Sequence, residues 1–377
     1  MTTSIHVCLV SDDFLPAVSG VGVHLGLVVP ALVAGGHKVS VLTTRQKGQL
    51  PRESALGADV HRVRALKVFD FYQGLPTRAE IRRVLDEVRP DLVHHHYASL
   101  MMRQVVDVAA AVRIPQLSTY HFGPEVLTQP WPLRPLRGWI GNEMVRVNNR
   151  CAAVICPSAN LVTALKAQGI GVPIHHLSNP VAFADAALAT PADRPAAPVV
   201  MYAGRLGVEK NVGLLIKAFG HVLQRWPDAL LWIAGRGPEE AALRAEAARL
   251  PRPGQAVFLG FLDHAALAKY YTACDVFVLP SVQEVQPMVA IEAMRFGKPV
   301  LLTSALASAT ELVKPGINGH IVSPDDPTDL AQRLCELLAA PSLMVQMGHA
   351  SQRLSAAFEP QAMVAGLERI YGQVLRR

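Results

Sequence analysis

The sequence predicts an α/β protein of two doubly wound, Rossmann-like halves in tandem, on three observations. Apolar runs of strand length alternate with amphipathic runs of helix length along nearly the whole chain, the rhythm of parallel sheets covered by helices. The 377 residues exceed the roughly 250–300 at which a single core stops growing. An alanine-rich stretch with three prolines, VAFADAALATPADRPAAP, interrupts the rhythm near the middle as an interdomain linker does.

In the first half, IHVCLVSDD reads as a buried strand and VGVHLGLVVPALVAGG as a helix stopped by Gly35-Gly36. KVSVLTT is the next strand. AEIRRVLDEVRP (helix), DLVHHH (strand), MMRQVVDVAAAVR (helix), PQLSTYH (strand) and CAAVICPS (strand) continue the alternation. After the linker it restarts with PVVMYAGRL (strand) and NVGLLIKAFGHVLQRW (helix). ALLWIAG, AVFLGFL, VFVLPS and PVLLT are further strands, separated by the helices PEEAALRAEAARL, HAALAKYYTAC and VAIEAMRFG. The segment FEPQAMVAGLERIYGQVLRR reads as a last helix. In open α/β sheets ligands sit beyond the carboxyl ends of strands, so chemistry is expected in the loops that follow them.

Composition narrows the class. Half of the residues are hydrophobic and 18% are charged, which excludes extensive disorder. The five cysteines (Cys8, Cys151, Cys156, Cys274, Cys335) are scattered and lack ligand spacing, so a reducing, cytoplasmic setting is expected without a disulfide framework or zinc site. MTTSIHVCLVSDD lacks a basic n-region and does not read as a signal peptide, and no uncharged run is long enough for a membrane span. The net charge of +6 is carried by residues 1–180, with 18 Lys/Arg against 12 Asp/Glu; the remainder balances at 18 against 18. That asymmetry suits an anionic substrate or membrane surface. Nucleic acid is not expected, since no basic run is interleaved with aromatics.

Two groups of residues carry the chemistry. In GRLGVEKN, Arg205 and Lys210 follow a strand and lead into a helix; two cations beside unpaired helix N–H groups suit a phosphate or diphosphate. In SVQEVQPMVAIEAM, Glu284 lies in a loop, Pro287 suits a first helical turn, and Glu292 falls about a turn further in, eight positions on. The helix amino end, Pro287-Met288-Val289, then lies between two carboxylates, an order that suits a hexose hydroxyl, a diphosphate and a ribose diol in sequence. Either group alone is also what solvated surface charge looks like. Gly20, after the first strand, would let backbone approach a ligand or simply make a tight turn. His94, His95 and His96 alternate faces of a strand and cannot all converge on one ion, so no metal site is expected there.

Together these motifs make the sequence resemble glycosyltransferase family 4, the retaining group 1 glycosyltransferases of GT-B fold, over essentially the whole chain. Glu284 and Glu292 match the family's Glu-x7-Glu element, and Gly204, Arg205, Leu206, Glu209 and Lys210 match G-R-L-x-x-E-K. IAGRGP (Gly235, Gly237, Pro238) resembles the I-x-G-x-G-P turn, with Arg236 where an acidic residue is common. DDFLPAVSGVG resembles the opening D-x-F-x-P-x-x-G-G, with Ser19 before Gly20 where two glycines are usual, and Ala182 after SNPV replaces a frequent aspartate. The resemblance implies an N-terminal acceptor-side domain over residues 1–182, a linker over 183–198, a donor domain over 199–357, an interdomain cleft, and a helix over 358–377 crossing back to the first domain.

It further implies a hexosyltransferase acting on a nucleotide-diphosphate sugar, UDP- or GDP-linked, with retention and without an essential divalent metal. Arg205 and Lys210 would stabilise the leaving diphosphate, Glu284 would position the sugar and Glu292 the ribose. Gly20, Gly204, Gly235, Gly237, Pro287, Met288 and Val289 would line the donor, Gly260 and Phe261 would meet the nucleobase through backbone, and His121 in STYHFG would donate to a sugar hydroxyl. The acceptor is expected to be a hydroxyl of a lipid or saccharide. WPLRPLRGWIGNEMVRVNNR, with Trp131, Trp139 and four arginines, either lies peripherally on an anionic membrane or is a solvated lid. Two alternatives stay open: a non-catalytic nucleotide-sugar-binding or scaffold protein, and a sugar-nucleotide epimerase of the same fold.

Overall fold

A computed structural model describes residues 4–16, 19–68, 71–96, 99–128, 131–181 and 194–376. The chain divides into two compact units: Met1–Pro180 with Pro360–Arg377, and Val181–Glu359. The linker expected over 183–198 lies outside the described residues as far as 193. Residues 194–198 belong to the second unit, where Arg194 pairs with Asp275 at 2.6 Å and Asp275 also accepts from the Val199 amide. Val181 belongs there too, buried, its amide donating to the Phe358 carbonyl.

The first unit is built on β1 (His6–Val10), β2 (Lys38–Arg45), β3 (Arg52–Ala55), β4 (Ala58–Val68), β5 (Phe71–Gly74), β6 (Leu92–His95), β7 (Gln116–Thr119), β8 (Ala153–Cys156) and β9 (Ile174–His176). Their order is β3-β4-β2-β1-β6-β7-β8-β9, with β5 paired to β4. All pairs are parallel except β3 with β4 and β4 with β5. The parallel strands are short apolar runs because both faces are covered. On one face, Leu25, Val28, Val29 and Leu32 of helix Gly20–Ala34 and Met363, Leu367 and Ile370 of helix Pro360–Leu375 pack on Val7, Leu9 and Val41. On the other, Ile81, Val84 and Leu85 of helix Arg78–Val88 and Val105 of helix Leu100–Ala111 meet Cys8, Val10 and Val93. Polar termini are capped locally: Ser19 accepts from the Gly22 amide, and Thr77 with Glu80 forms a capping box.

The second unit holds β10 (Val199–Ala203), β11 (Leu230–Ala234), β12 (Ala256–Gly260), β13 (Val276–Leu279), β14 (Val300–Thr303) and β15 (Gly319–Val322). The order β12-β11-β10-β13-β14-β15 is parallel throughout. It is the 3-2-1-4-5-6 order of a dinucleotide-binding sheet, whose ligand crevice opens where the order reverses. Here that reversal falls between β10 and β13, the strands whose loops carry GRLGVEKN and the Glu284 segment. In the first unit it falls between β1 and β6.

Candidate active site

The loop after β10 is held by backbone hydrogen bonds to its neighbours and by Tyr202 Oη, which donates to the Arg205 carbonyl at 2.9 Å. The Gly204 amide donates to the Ala234 carbonyl, Leu206 to Arg236, and Gly235 to Gly260, so three successive strand-end loops are zipped together. A Cβ on Gly235 would sit 1.8 Å from the Gly204 oxygen, and one on Gly237 2.3 Å from the Leu206 oxygen. These two glycines are therefore required by loop-on-loop packing, which shapes the surface a donor would meet.

Beyond Leu206 the chain turns through a 3₁₀ turn, Val208–Lys210, and helix Val212–Arg225 begins after Asn211. Lys210 thus sits in the turn, two residues before the helix, rather than at the helix start as the sequence suggested. Arg205 donates to Glu209 at 2.7 Å. Glu209 is buried, and its second carboxylate oxygen makes no hydrogen bond among the described residues. Lys210 pairs with Glu284, their side chains 17% and 18% exposed. The Val282 amide donates to the Glu209 carbonyl and fastens the two loops together. Residues 74 positions apart in sequence thus form one site, because β10 and β13 are neighbours.

Pro287 is the N-cap of helix Met288–Arg295 rather than part of its first turn. The Met288 and Val289 amides have no carbonyl a turn back within the helix, and the helix dipole adds partial positive charge at that end. Glu292 lies deeper than a solvated helix charge would, 5% exposed, accepting from Tyr271 Oη at 3.1 Å with His264 Nδ1 3.9 Å away. Burial pushes its carboxyl pKa up. Tyr271 and His264 gave no sequence signal, since HAALAKYYTAC reads only as a packed helix. Gly260 ends β12 with positive φ, and Phe261 beside it is exposed.

In the first unit, Gly20 opens helix Gly20–Ala34, and a Cβ there would meet nothing within 4 Å among the described residues, whose packing therefore does not demand glycine. His121 follows β7 and lines a recess with His96, Thr119, Tyr120, Met144 and Asn148. Burial pushes its pKa down to about 3, which keeps the ring neutral at ordinary pH. The His94–His96 run does split as strand geometry requires. His94 bonds Tyr371 and Thr119 at 2.8 Å each, His95 bonds Gln116 at 2.9 Å, and His96 Nδ1 meets His121 Nε2 at 3.2 Å. What the sequence did not signal is that His24 joins His96 and His121, bringing three imidazoles together from three elements.

The segment over residues 131–150 forms a 3₁₀ turn, Trp131–Leu136, and helix Arg137–Asn148. Leu136 and Trp139 are 45% and 57% exposed. Three of its arginines are paired with acids of the same unit: Arg137 with Glu125, Arg146 with Glu143, and Arg150 with Asp107. The Trp131 side chain lies outside the described residues. No helix among the described residues is long and apolar enough to cross a membrane.

Comparison with known proteins bears on the family and the fold. The family described as glycosyl transferases group 1 matches residues 190–354, and Glycosyltransferase Family 4 matches residues 18–185. The chain belongs to the group 1 glycosyltransferases, family 4, and its two Rossmann-like units are the GT-B fold. A sulfoquinovosyl transferase of Arabidopsis thaliana is 27% identical over 80% of this chain, which spans 60% of that protein's length. A GDP-mannose-dependent alpha-mannosyltransferase of Corynebacterium glutamicum is 27% identical over 94% of this chain and 84% of its own. An alpha-monoglucosyldiacylglycerol synthase of Streptococcus pneumoniae is 23% identical over 78% of this chain and 70% of its own. Among solved structures, sucrose-phosphate synthase from Thermosynechococcus elongatus superposes with a TM-score of 0.80 at 22% identity, covering 99% of each chain. The Anabaena protein HepE, in complex with UDP-glucose, gives 0.76 at 18% identity, again over 99% of each. These two likenesses speak to the fold.

Proposed function

We propose that the chain moves a hexosyl unit from a UDP- or GDP-sugar to a hydroxyl of a lipid or lipid-linked saccharide, with retention of configuration. The observation that carries this reading is the Lys210–Glu284 pair, with Arg205 on the same loop as Lys210, at the reversal of strand order in the second unit. As the glycosidic bond breaks, the nucleoside diphosphate takes up negative charge, and cations already in place stabilise it without reorganisation. Arg205 and Lys210 exchange their carboxylate partners for phosphate oxygens, and the amides of Met288 and Val289 reinforce them. Glu284, released from Lys210, accepts from a sugar hydroxyl.

Glu292, held by Tyr271, accepts from the ribose diol, and the backbone at Gly260 and Phe261 receives the base. His121 is assigned to a hydroxyl of the transferred sugar on the family resemblance alone; as a neutral ring it donates through N–H. No step requires a divalent ion at the diphosphate. The GDP-mannose and diacylglycerol in the names of two relatives favour such a donor and acceptor, and Leu136 with Trp139 offers an apolar contact for a membrane face. The test is thermal stabilisation by UDP, GDP, ADP and their sugar conjugates, repeated with Arg205→Ala and Glu292→Ala. Stabilisation by a diphosphate that survives both substitutions would refute the site.

A further inference from the structure

His24, His96 and His121 come from helix Gly20–Ala34, the end of β6 and the loop after β7, and none was a residue that the sequence tied to the others. We infer that these three imidazoles form a binding site for a borderline divalent transition metal such as Zn²⁺ or Co²⁺. A tetrahedral ion with Zn–N bonds of roughly 2.0–2.1 Å places its ligand nitrogens roughly 3.3–3.4 Å apart. His96 Nδ1 and His121 Nε2 stand 3.2 Å apart, already on such an edge. One nitrogen from each of the three rings lies within 4.8 Å of the others. Bringing His24 to the same edge takes a movement of roughly 1–2 Å, against the tetrahedral spacing.

Burial of the surroundings fits an ion held by neutral ligands. His24 and His96 are fully buried, and His24 packs edge-on to His121 with ring centroids 4.7 Å apart. His94 is not a fourth ligand: both its nitrogens are bonded, to Tyr371 and Thr119, and its ring lies 4.0 Å from that of His96, fixing the latter from behind. Three histidines with no carboxylate or thiolate in the set select imidazole-loving ions over Mg²⁺ or Ca²⁺. Three protein ligands leave a position for water or another small donor. An ion there occupies the His121 lone pair and excludes a sugar hydroxyl from that nitrogen. Binding itself is independent of the transfer reading.

The test titrates Co²⁺ into the tag-free, chelator-treated full chain and follows the visible absorption of four-coordinate cobalt, with calorimetry for Zn²⁺. One ion per chain is expected, with affinity falling at least tenfold in His24→Gln and in His96→Gln and unchanged in His221→Gln, an exposed histidine of the second unit. X-ray absorption of the zinc-loaded wild-type chain should count three imidazoles, and this decides the matter even if a variant fails to fold. Absence of a stoichiometric ion, unchanged affinity in both folded variants, Mg²⁺ binding equally well, or fewer than three imidazoles would each overturn the site.

Discussion

Lys210 and Glu284 neutralise each other across two loops, so deleting either leaves a partly buried charge without its partner. Lys210→Ala should lower kcat/KM for transfer by about 10²–10³, the loss typical of one preorganised electrostatic donor, while binding of the free acceptor stays unchanged; initial rates against donor concentration check this. Gly237→Ala tests a different property. Its Cβ would lie 2.3 Å from the Leu206 oxygen, so the GRL loop must shift, at a cost of about 1–3 kcal/mol in overpacking. A calorimetric melt that matches wild type would show that the two loops are not packed as described. Arg205, Lys210, Glu284 and Glu292 were legible in the sequence because each sits at a fixed offset from a strand end. Tyr271 and His264 were not, because a tyrosine on a packed helix gives no sign that its hydroxyl reaches a carboxylate 21 residues away.

The central parallel strands and their helices were legible because buried parallel strands are plain apolar runs. β3, β4 and β5 were not. RESALGADVHRVRALKV carries charges at strand positions, and Arg62 is buried only because Glu53, the Thr44 carbonyl and the Leu15 carbonyl accept from its guanidinium. Such compensation is invisible to hydrophobic patterning. The capping box of helix Arg78–Val88 predicts that Thr77→Ala costs about 1 kcal/mol, seen as a drop of a few degrees in Tm. For the segment over 131–150, ion pairs that engage three of its four arginines leave the exposed Leu136 and Trp139 as its distinctive surface. Binding to anionic vesicles in cosedimentation should therefore fall at least several-fold in the Leu136→Ala, Trp139→Ala double variant. Undiminished binding would remove this segment from any membrane contact.

Taken as a molecule, the chain keeps its two cores separate and concentrates its titrating burden in the first. His24, His94, His95, His96 and His121 are all lowered by burial, His95 to about 4 and His121 to about 3. Each binds a proton in the unfolded chain near pH 6.5 but not in the folded one, so stability rises with pH up to that value and is lost on acidification below it. Asp12, raised by burial to about 7, works the other way, its contribution falling between about pH 4 and 7. Asp13 and Glu292 are raised by burial as well, and His6 and His320 lowered, so among the described residues seven histidines stand against three carboxyls and Tm should drop from pH 7.5 to pH 5.0; a flat profile would contradict the burial of the histidine cluster. The tandem Rossmann organisation was legible from alternation alone, but the His24–His96–His121 grouping depends on where β1, β6 and β7 lie in the sheet, which no local pattern reveals.

The resting pairs Arg205–Glu209 and Lys210–Glu284 also bear on the kinetics of encounter. A loop whose cations are already matched by carboxylates projects little net potential beyond about 10 Å, the screening length near 0.1 M salt. An incoming nucleotide sugar is then captured by exchange at contact rather than steered from a distance. Its association rate should vary only weakly with ionic strength, whereas its dissociation rate, set by the phosphate bonds once formed, should carry most of the effect of substitutions at these four residues.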